Sequence, residues 1–196
     1  MVKLVGLTGG IGSGKTTIAR AFEVLEVPVY NSDQRAKWLI VNNRRISDGL
    51  VSILGEKVFE NGELNKKYMA SVIFTDRQKL QQVNELIHPI VFDDFRQWAA
   101  AHERRGARYV VNEAAILIEN GAYKLLDSVI LVCAPMETRI ERTMLRDKLS
   151  RSQVEERIAN QSTDEYKMTF ANDVIVTDDR HFVLPQILNI HKRLTA

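Results

Sequence analysis

Short apolar runs alternate along the chain with stretches where apolar residues recur every three or four positions. Val2 to Thr8 reads as a buried strand, and Pro28-Val29-Tyr30 as a second. Tyr109 to Val111, Ser128 to Cys133 and Asp173 to Val176 repeat the pattern. Between these runs the period is helical. Ile18, Ala19, Phe22 and Leu25 share one face, and Ser32 or Asp33 is placed to cap a helix carrying Ala36, Leu39 and Ile40. Strands alternating with helices predict an α/β fold with a parallel sheet covered on both faces.

From about residue 35 to 105 the helical period dominates. Leu50, Ile53 and Leu54 form one stripe, and Asn65 can cap a helix bearing Met69, Val72 and Ile73. Leu80, Val83, Leu86 and Ile87 form another stripe. Pro89 is expected to restart a helix with Val91, Phe92, Phe95 and Trp98, since proline is tolerated in a first turn. This stretch is too long for a simple crossover and predicts an inserted helical subdomain. Further on, Pro135 opens a helix with Ile140, Met144 and Leu145, and Ser152 to Glu155 ("SQVE") reads as a capping box. His181 to Leu194 predicts an amphipathic helix with Val183, Ile187, Ile190 and Leu194 on one face.

Composition narrows the class. The 196 residues are 45% hydrophobic, which suits one globular domain with a real core. The 27 basic and 25 acidic residues leave a net charge of +2, so no electrostatic case exists for a nucleic-acid or membrane-surface protein. Cys133 is the single cysteine and sits in the apolar run "SVILVC", as a small buried hydrophobe would. A reducing, cytoplasmic compartment is the natural reading. The N-terminal apolar run is too short for a signal peptide, and no stretch approaches the roughly 20 apolar residues of a membrane helix. A monomer or weak homo-oligomer is expected.

The candidate chemistry begins at "GLTGGIGSGKTT", Gly6 to Thr17, where five of twelve residues are glycine. Gly9, Gly14, Lys15 and Thr16 satisfy G-x-x-x-x-G-K-[ST], between a predicted strand and a predicted helix. Glycines let backbone N–H groups approach an oxygen without a Cβ in the way, and the helix N-terminus adds its dipole. Gly10, Ile11, Gly12, Ser13, Gly14, Lys15, Thr16 and Thr17 are therefore the candidate ATP-binding residues. Lys15 adds positive charge for the β and γ phosphates, and Thr16 offers a hydroxyl to Mg²⁺. The guanine motif N-K-x-D of GTPases is absent: the sequence at Asn65 is N-K-K-Y. The size suits a small-molecule kinase better than a larger ATPase. A P-loop small-molecule or nucleoside kinase and a non-catalytic nucleotide-binding switch remain the alternatives at this point.

A kinase needs an acceptor for the proton of the attacking hydroxyl, close to the end of a strand near the loop. Asp33, directly after the second strand, fits that need or a simple helix cap. Glu113, after the third strand, could hold magnesium through water or orient the acceptor. The run "TRIERTMLRDKLSR" supplies Arg139, Arg142, Arg146, Lys148 and Arg151. Arg142 and Arg146 are four apart and share a helical face, which beside the loop reads as a mobile, arginine-bearing lid.

These residues resemble the dephospho-CoA kinase family along almost the whole chain. The opening from Gly6 to Thr16 is close to that family's own, and Asn31-Ser32-Asp33 stands at its D-x-D segment. Leu64 to Met69 echoes L-N-R-x-x-L, Phe74 follows, and His88-Pro89 matches an H-P dipeptide. Glu113 to Glu119 corresponds to D-x-P-L-L-x-E, Arg139 to Asp147 to Q-x-x-R-x-x-x-R-D, and Arg157 to Gln161 to R-I-x-x-Q. Asn172 to Asp178 stands at the closing A-D-x-V-I-x-N. The departures are Asn31 for Asp, Glu113 for Asp, Ala115 for Pro, Arg139 for Gln and Asp178 for Asn.

The resemblance implies a P-loop three-layer α/β/α core with an inserted helical substrate subdomain and a lid. The core is expected at about 1–34 and 106–196, a CoA-binding insertion at about 35–105, and the lid at about 143–160. It also implies that ATP phosphorylates the ribose 3′-hydroxyl of dephospho-CoA. Lys15, Asp33, Arg142 and Arg146 would be catalytic, Asp33, His88 and Glu113 would meet the substrate, and Thr16 would carry the metal.

Overall fold

The apolar runs at 3–9, 29–31, 109–113, 128–133 and 173–176 are all strands of one parallel sheet in the computed structural model, which describes residues 1–178 and 180–196. In chain order the strands are β1 (Lys3–Gly9), β2 (Val29–Asn31), β3 (Phe59–Glu60), β4 (Glu63–Leu64), β5 (Tyr109–Glu113), β6 (Ser128–Cys133) and β7 (Asp173–Val176). The helices are α1 (Lys15–Val24), α2 (Ser32–Asn42), α3 (Arg44–Leu54), α4 (Lys66–Thr75), α5 (Arg77–Glu103), α6 (Met136–Asp147), α7 (Arg151–Ala159), α8 (Asp164–Met168) and α9 (Val183–Thr195). Among the described residues the sheet order is β2-β5-β1-β6-β7, every pair parallel. The chain divides into two units, 1–31 with 99–196, and 32–98.

In the first unit, strands buried on both faces explain the unbroken apolar runs. Every residue of β5 and β6 is buried. Val5, Leu7, Val111, Ile130, Val132 and Ile175 pack with Ile18 and Phe22 of α1 and with Ile187 and Ile190 of α9. Phe22 is fully buried and meets Tyr109 edge-on at 6.4 Å. Register aligns Leu7 with Glu113 and Asn31 with Glu113, so β1, β5 and β2 end along one edge of the sheet. That edge carries the glycine loop.

The second unit is helical apart from the small β3–β4 hairpin. Ile46, Leu50 and Leu54 make the buried stripe of α3, and a Cβ on Gly49 would press into Leu86 of α5 at 2.6 Å. Arg35 of α2 donates twice to Asp94 of α5, at 2.8 and 2.9 Å. Asn65 caps α4 as expected, its side chain accepting from Tyr68 N at 3.0 Å.

Three local expectations are corrected. Pro89 does not restart a helix but lies inside the single helix α5. Its missing N–H and ring cost about 3 kcal/mol in a helix interior. The buried positions Val83, Ile87, Val91, Phe95 and Ala99 stay in phase at every fourth residue across it, and that continuous apolar stripe outweighs the local defect. The capping box belongs to Ser150 and Gln153, not Ser152 and Glu155, because S-x-x-Q two residues earlier caps the helix at Arg151. Finally, Leu145 of α6 faces solvent while Arg139 and Thr143 are buried beside Ile140. The buried face is set by what the helix packs against, namely the loop described next.

Candidate active site

The loop forms because β1 ends at Gly9 and the chain must turn at once into α1. Gly14 takes φ 89°, a left-handed conformation that disfavours any side chain, and stands as the helix N-cap with no side-chain cap bond. No acid lies in the first turn of α1. Thr17 N and Ile18 N turn back to Gly14 O, while the helix start otherwise offers its backbone donors to an anion.

Glu113 closes the site from the end of β5. It is 3% exposed, and its carboxylate accepts from three side chains. Lys15 Nζ lies 3.0 Å from Oε1, Thr16 Oγ1 lies 2.9 Å from the same oxygen, and Asn31 Nδ2 lies 2.8 Å from Oε2. A buried carboxylate is costly unless paired and hydrogen-bonded, and here it is both. Glu113 thus sits on the two side chains read as phosphate and metal ligands. Asn31 was noted only as a departure from the family pattern. Its part emerges from strand register, since Asn31 and Glu113 are paired neighbours on β2 and β5.

Arg142 approaches the loop from α6. Its Nη1 donates to Thr177 Oγ1 at 2.9 Å, and that hydroxyl donates to Ser13 O at 2.7 Å. Arg146 lies one turn on, about two-thirds exposed, with a forked pair to Asp147 at 2.8 and 3.0 Å. Asp147 holds its guanidinium above the usual arginine range. Arg151 is likewise engaged with Glu137 and Glu155. Arg139, the first arginine of the same basic run, is 5% exposed and lies against the loop.

Asp33 occupies the first turn of α2, exposed, two residues beyond the end of β2. His88 lies in mid-α5, half-buried, and burial holds its imidazole below the usual histidine range. Both belong to the second unit, whereas Lys15, Thr16, Glu113, Arg142 and Arg146 belong to the first. Asp178 holds the backbone N–H groups of Arg180 and His181 and pairs with the His181 ring at 3.0 Å.

The family model described as dephospho-CoA kinase matches residues 3–181. The chain belongs to the dephospho-CoA kinase family. The dephospho-CoA kinase of Bacteroides fragilis is 40% identical over 186 residues, covering 95% of this chain and 90% of that one. The crystal structure of TT1252 from Thermus thermophilus superposes with a TM-score of 0.85 at 29% identity, covering 100% of this chain and 98% of the other. The dephospho-CoA kinase from Campylobacter jejuni gives 0.72 at 20% identity, over 100% and 98%, and so supports the fold alone. Membership in the dephospho-CoA kinase family implies a phosphotransferase with an alcohol acceptor, ATP as co-substrate and the last step of coenzyme A synthesis. No described helix is long and apolar enough to cross a membrane.

Proposed function

We propose that this chain transfers the γ-phosphoryl group of ATP to the ribose 3′-hydroxyl of dephospho-CoA, giving coenzyme A and ADP. The observation that carries the reading is the convergence of Lys15, Thr16 and Glu113 beneath an uncapped helix N-terminus, in a chain of this family. Loop amides between Ile11 and Thr17 receive the phosphates, and Lys15 leaves Glu113 to meet the β and γ oxygens.

Thr16 Oγ1 and a Glu113 oxygen lie 2.9 Å apart. Two hard oxygens so close suit Mg²⁺, which favours one or two protein oxygens beside substrate phosphate. When bound there, the ion would neutralise charge on the β and γ oxygens. The hydroxyl oxygen forms its bond to the γ phosphorus as the bridging β–γ bond breaks, and Asp33 takes the hydroxyl's proton. Chain position supports Asp33: it follows β2 by two residues, and the last residue of β2 is hydrogen-bonded to Glu113. Arg142 and Arg146 supply positive charge for the transferring group, with a lid at about 143–160 excluding water. The helical second unit, including His88, holds dephospho-CoA. The enzyme works in the cytoplasm as a monomer or weak homo-oligomer.

A coupled assay for ADP tests the reading. ADP release should require added dephospho-CoA and yield a 3′-phosphorylated product. ADP release at the same rate without dephospho-CoA would sink it.

A further inference from the structure

Ile11, at the tip of the glycine loop, has both of its backbone polar groups held by side chains from far along the chain. Its N–H donates to Gln161 Oε1 at 2.8 Å. Its carbonyl accepts from Arg139 Nε at 3.0 Å. The two holders are themselves tied together. Arg139 Nη1 lies 3.3 Å from Asp164, three residues beyond Gln161. Asp164 and Arg139 are both largely buried, so the pair is shielded from solvent. A Cβ on Gly10, beside Ile11, would meet the Arg139 guanidinium, so glycine there leaves room for that side chain.

The turn that carries Gln161 is anchored on its other side. Ser162 N donates to Glu119 Oε1 at 3.4 Å, and Lys167 Nζ lies 3.0 Å from the same oxygen. Lys167 is fully buried and Glu119 lies at the surface, so the ion pair ties this turn to the segment after β5. Gln161 follows directly on Asn160, the C-cap of α7. The chain from α6 through α8 therefore grips the loop at one residue, through one acceptor and one donor.

We infer that Gln161 and Arg139 are positioning residues for the nucleotide: they fix Ile11 so that the amides after it converge on one phosphate site. The inference rests on the reading of the loop as the ATP site. Pre-fixing those amides spares the nucleotide the cost of ordering them. The contribution belongs to nucleotide binding, not to the acceptor or to the chemical step.

The test uses Gln161→Met, which keeps the length but removes the acceptor, and Gln161→Glu, which keeps an acceptor oxygen. Arg139 is a poorer probe, because its loss leaves Asp164 buried without its partner and can unfold the chain. Amide hydrogen exchange of Ile11, read by NMR in nucleotide-free protein, should quicken at least ~10-fold in Gln161→Met and stay near wild type in Gln161→Glu, the scale of one lost hydrogen bond. In Gln161→Met the KM for ATP should rise about 5- to 10-fold by the same scale, with kcat and the KM for dephospho-CoA within about twofold. A merely structural role would instead lower active enzyme and leave both KM values in place. Unchanged Ile11 exchange in Gln161→Met overturns the clamp. Faster exchange with an unchanged KM for ATP overturns its role in positioning. A wild-type chain that binds no ATP would refute the nucleotide site itself, while the Ile11 exchange still decides the clamp.

Discussion

Lys15 Nζ and Glu113 Oε1 lie 3.0 Å apart, with both side chains largely buried. The loop lysine is therefore held by the carboxylate that also takes the Thr16 hydroxyl. Such a pair has two consequences. It satisfies a buried charge, and it makes Lys15 choose between Glu113 and phosphate. A cation at Thr16 and Glu113 would release that competition by taking up the carboxylate.

Glu113→Gln separates these effects. Without Mg²⁺, Lys15 no longer has a carboxylate to leave, so ADP should bind more tightly than to wild type. With Mg²⁺ present, the gain that the ion brings to wild-type binding should shrink, and turnover should fall by about 10-fold or more, the scale of a lost charged contact at the reacting group. Calorimetric titration of ADP in EDTA and in Mg²⁺ measures both affinities. An undiminished Mg²⁺ effect in the variant would remove Glu113 from the metal site.

Asp33→Asn tests the proton acceptor. Asn keeps the size and the place in the first turn of α2 but cannot take a proton. Turnover should fall at least ~100-fold, the usual scale for general-base work, with ATP affinity nearly unchanged. Equal turnover would reassign Asp33 to helix capping.

How much of this was legible before the structure follows from particular residues. The sheet strands were readable because burial on both faces leaves no polar alternation to confuse them. The loop was readable because Gly9, Gly14, Lys15 and Thr16 carry their own spacing. The β3–β4 hairpin was missed although its Asn61-Gly62 turn was in plain view, with φ of 52° and 81°. Each of its strands is only two residues long, too short to show a period. The Asn31–Glu113 bond needed strand register, which no local pattern supplies. Arg139 stands in the sequence only as one member of a basic run and a departure from the family pattern. The available signal was that Arg139 and Thr143 flank Ile140 in phase on one helical face, and what that face meets is a tertiary fact. Gln161 carried no local signal beyond its place in a motif.

Arg142 and Arg146 should separate in kinetics, although sequence spacing made them equivalent. Arg142 already reaches the loop through Thr177, so Arg142→Ala should weaken ATP binding as well as turnover. Arg146 pairs with Asp147 rather than with the loop, so Arg146→Ala should lower kcat by about 10-fold or more and leave ATP affinity within about twofold. Single-turnover rates and ATP titration read the two quantities apart. An unchanged rate in Arg146→Ala would make it a solvated surface residue.

Cys133 gives a test of the buried surroundings of the loop. Burial, and next the neighbouring Asp164 carboxylate, push its thiol up to about 12. At pH 8 the folded chain therefore keeps it protonated, and a disulfide reagent should find no reactive thiol until the chain is denatured, when one equivalent reacts. The sign for stability follows from the same shift. Above the ordinary thiol value of 9.0 the unfolded chain loses this proton while the folded chain retains it, so stability should fall as pH rises from about 9 towards 12. Cys133→Ala should remove that part of the alkaline loss, measured as the difference between the two chains' denaturant midpoints at pH 8 and pH 10.5. Rapid labelling of native protein at pH 8 would show that the pocket around Asp164 opens readily, and would place the Arg139–Asp164 pair in water rather than in the interior.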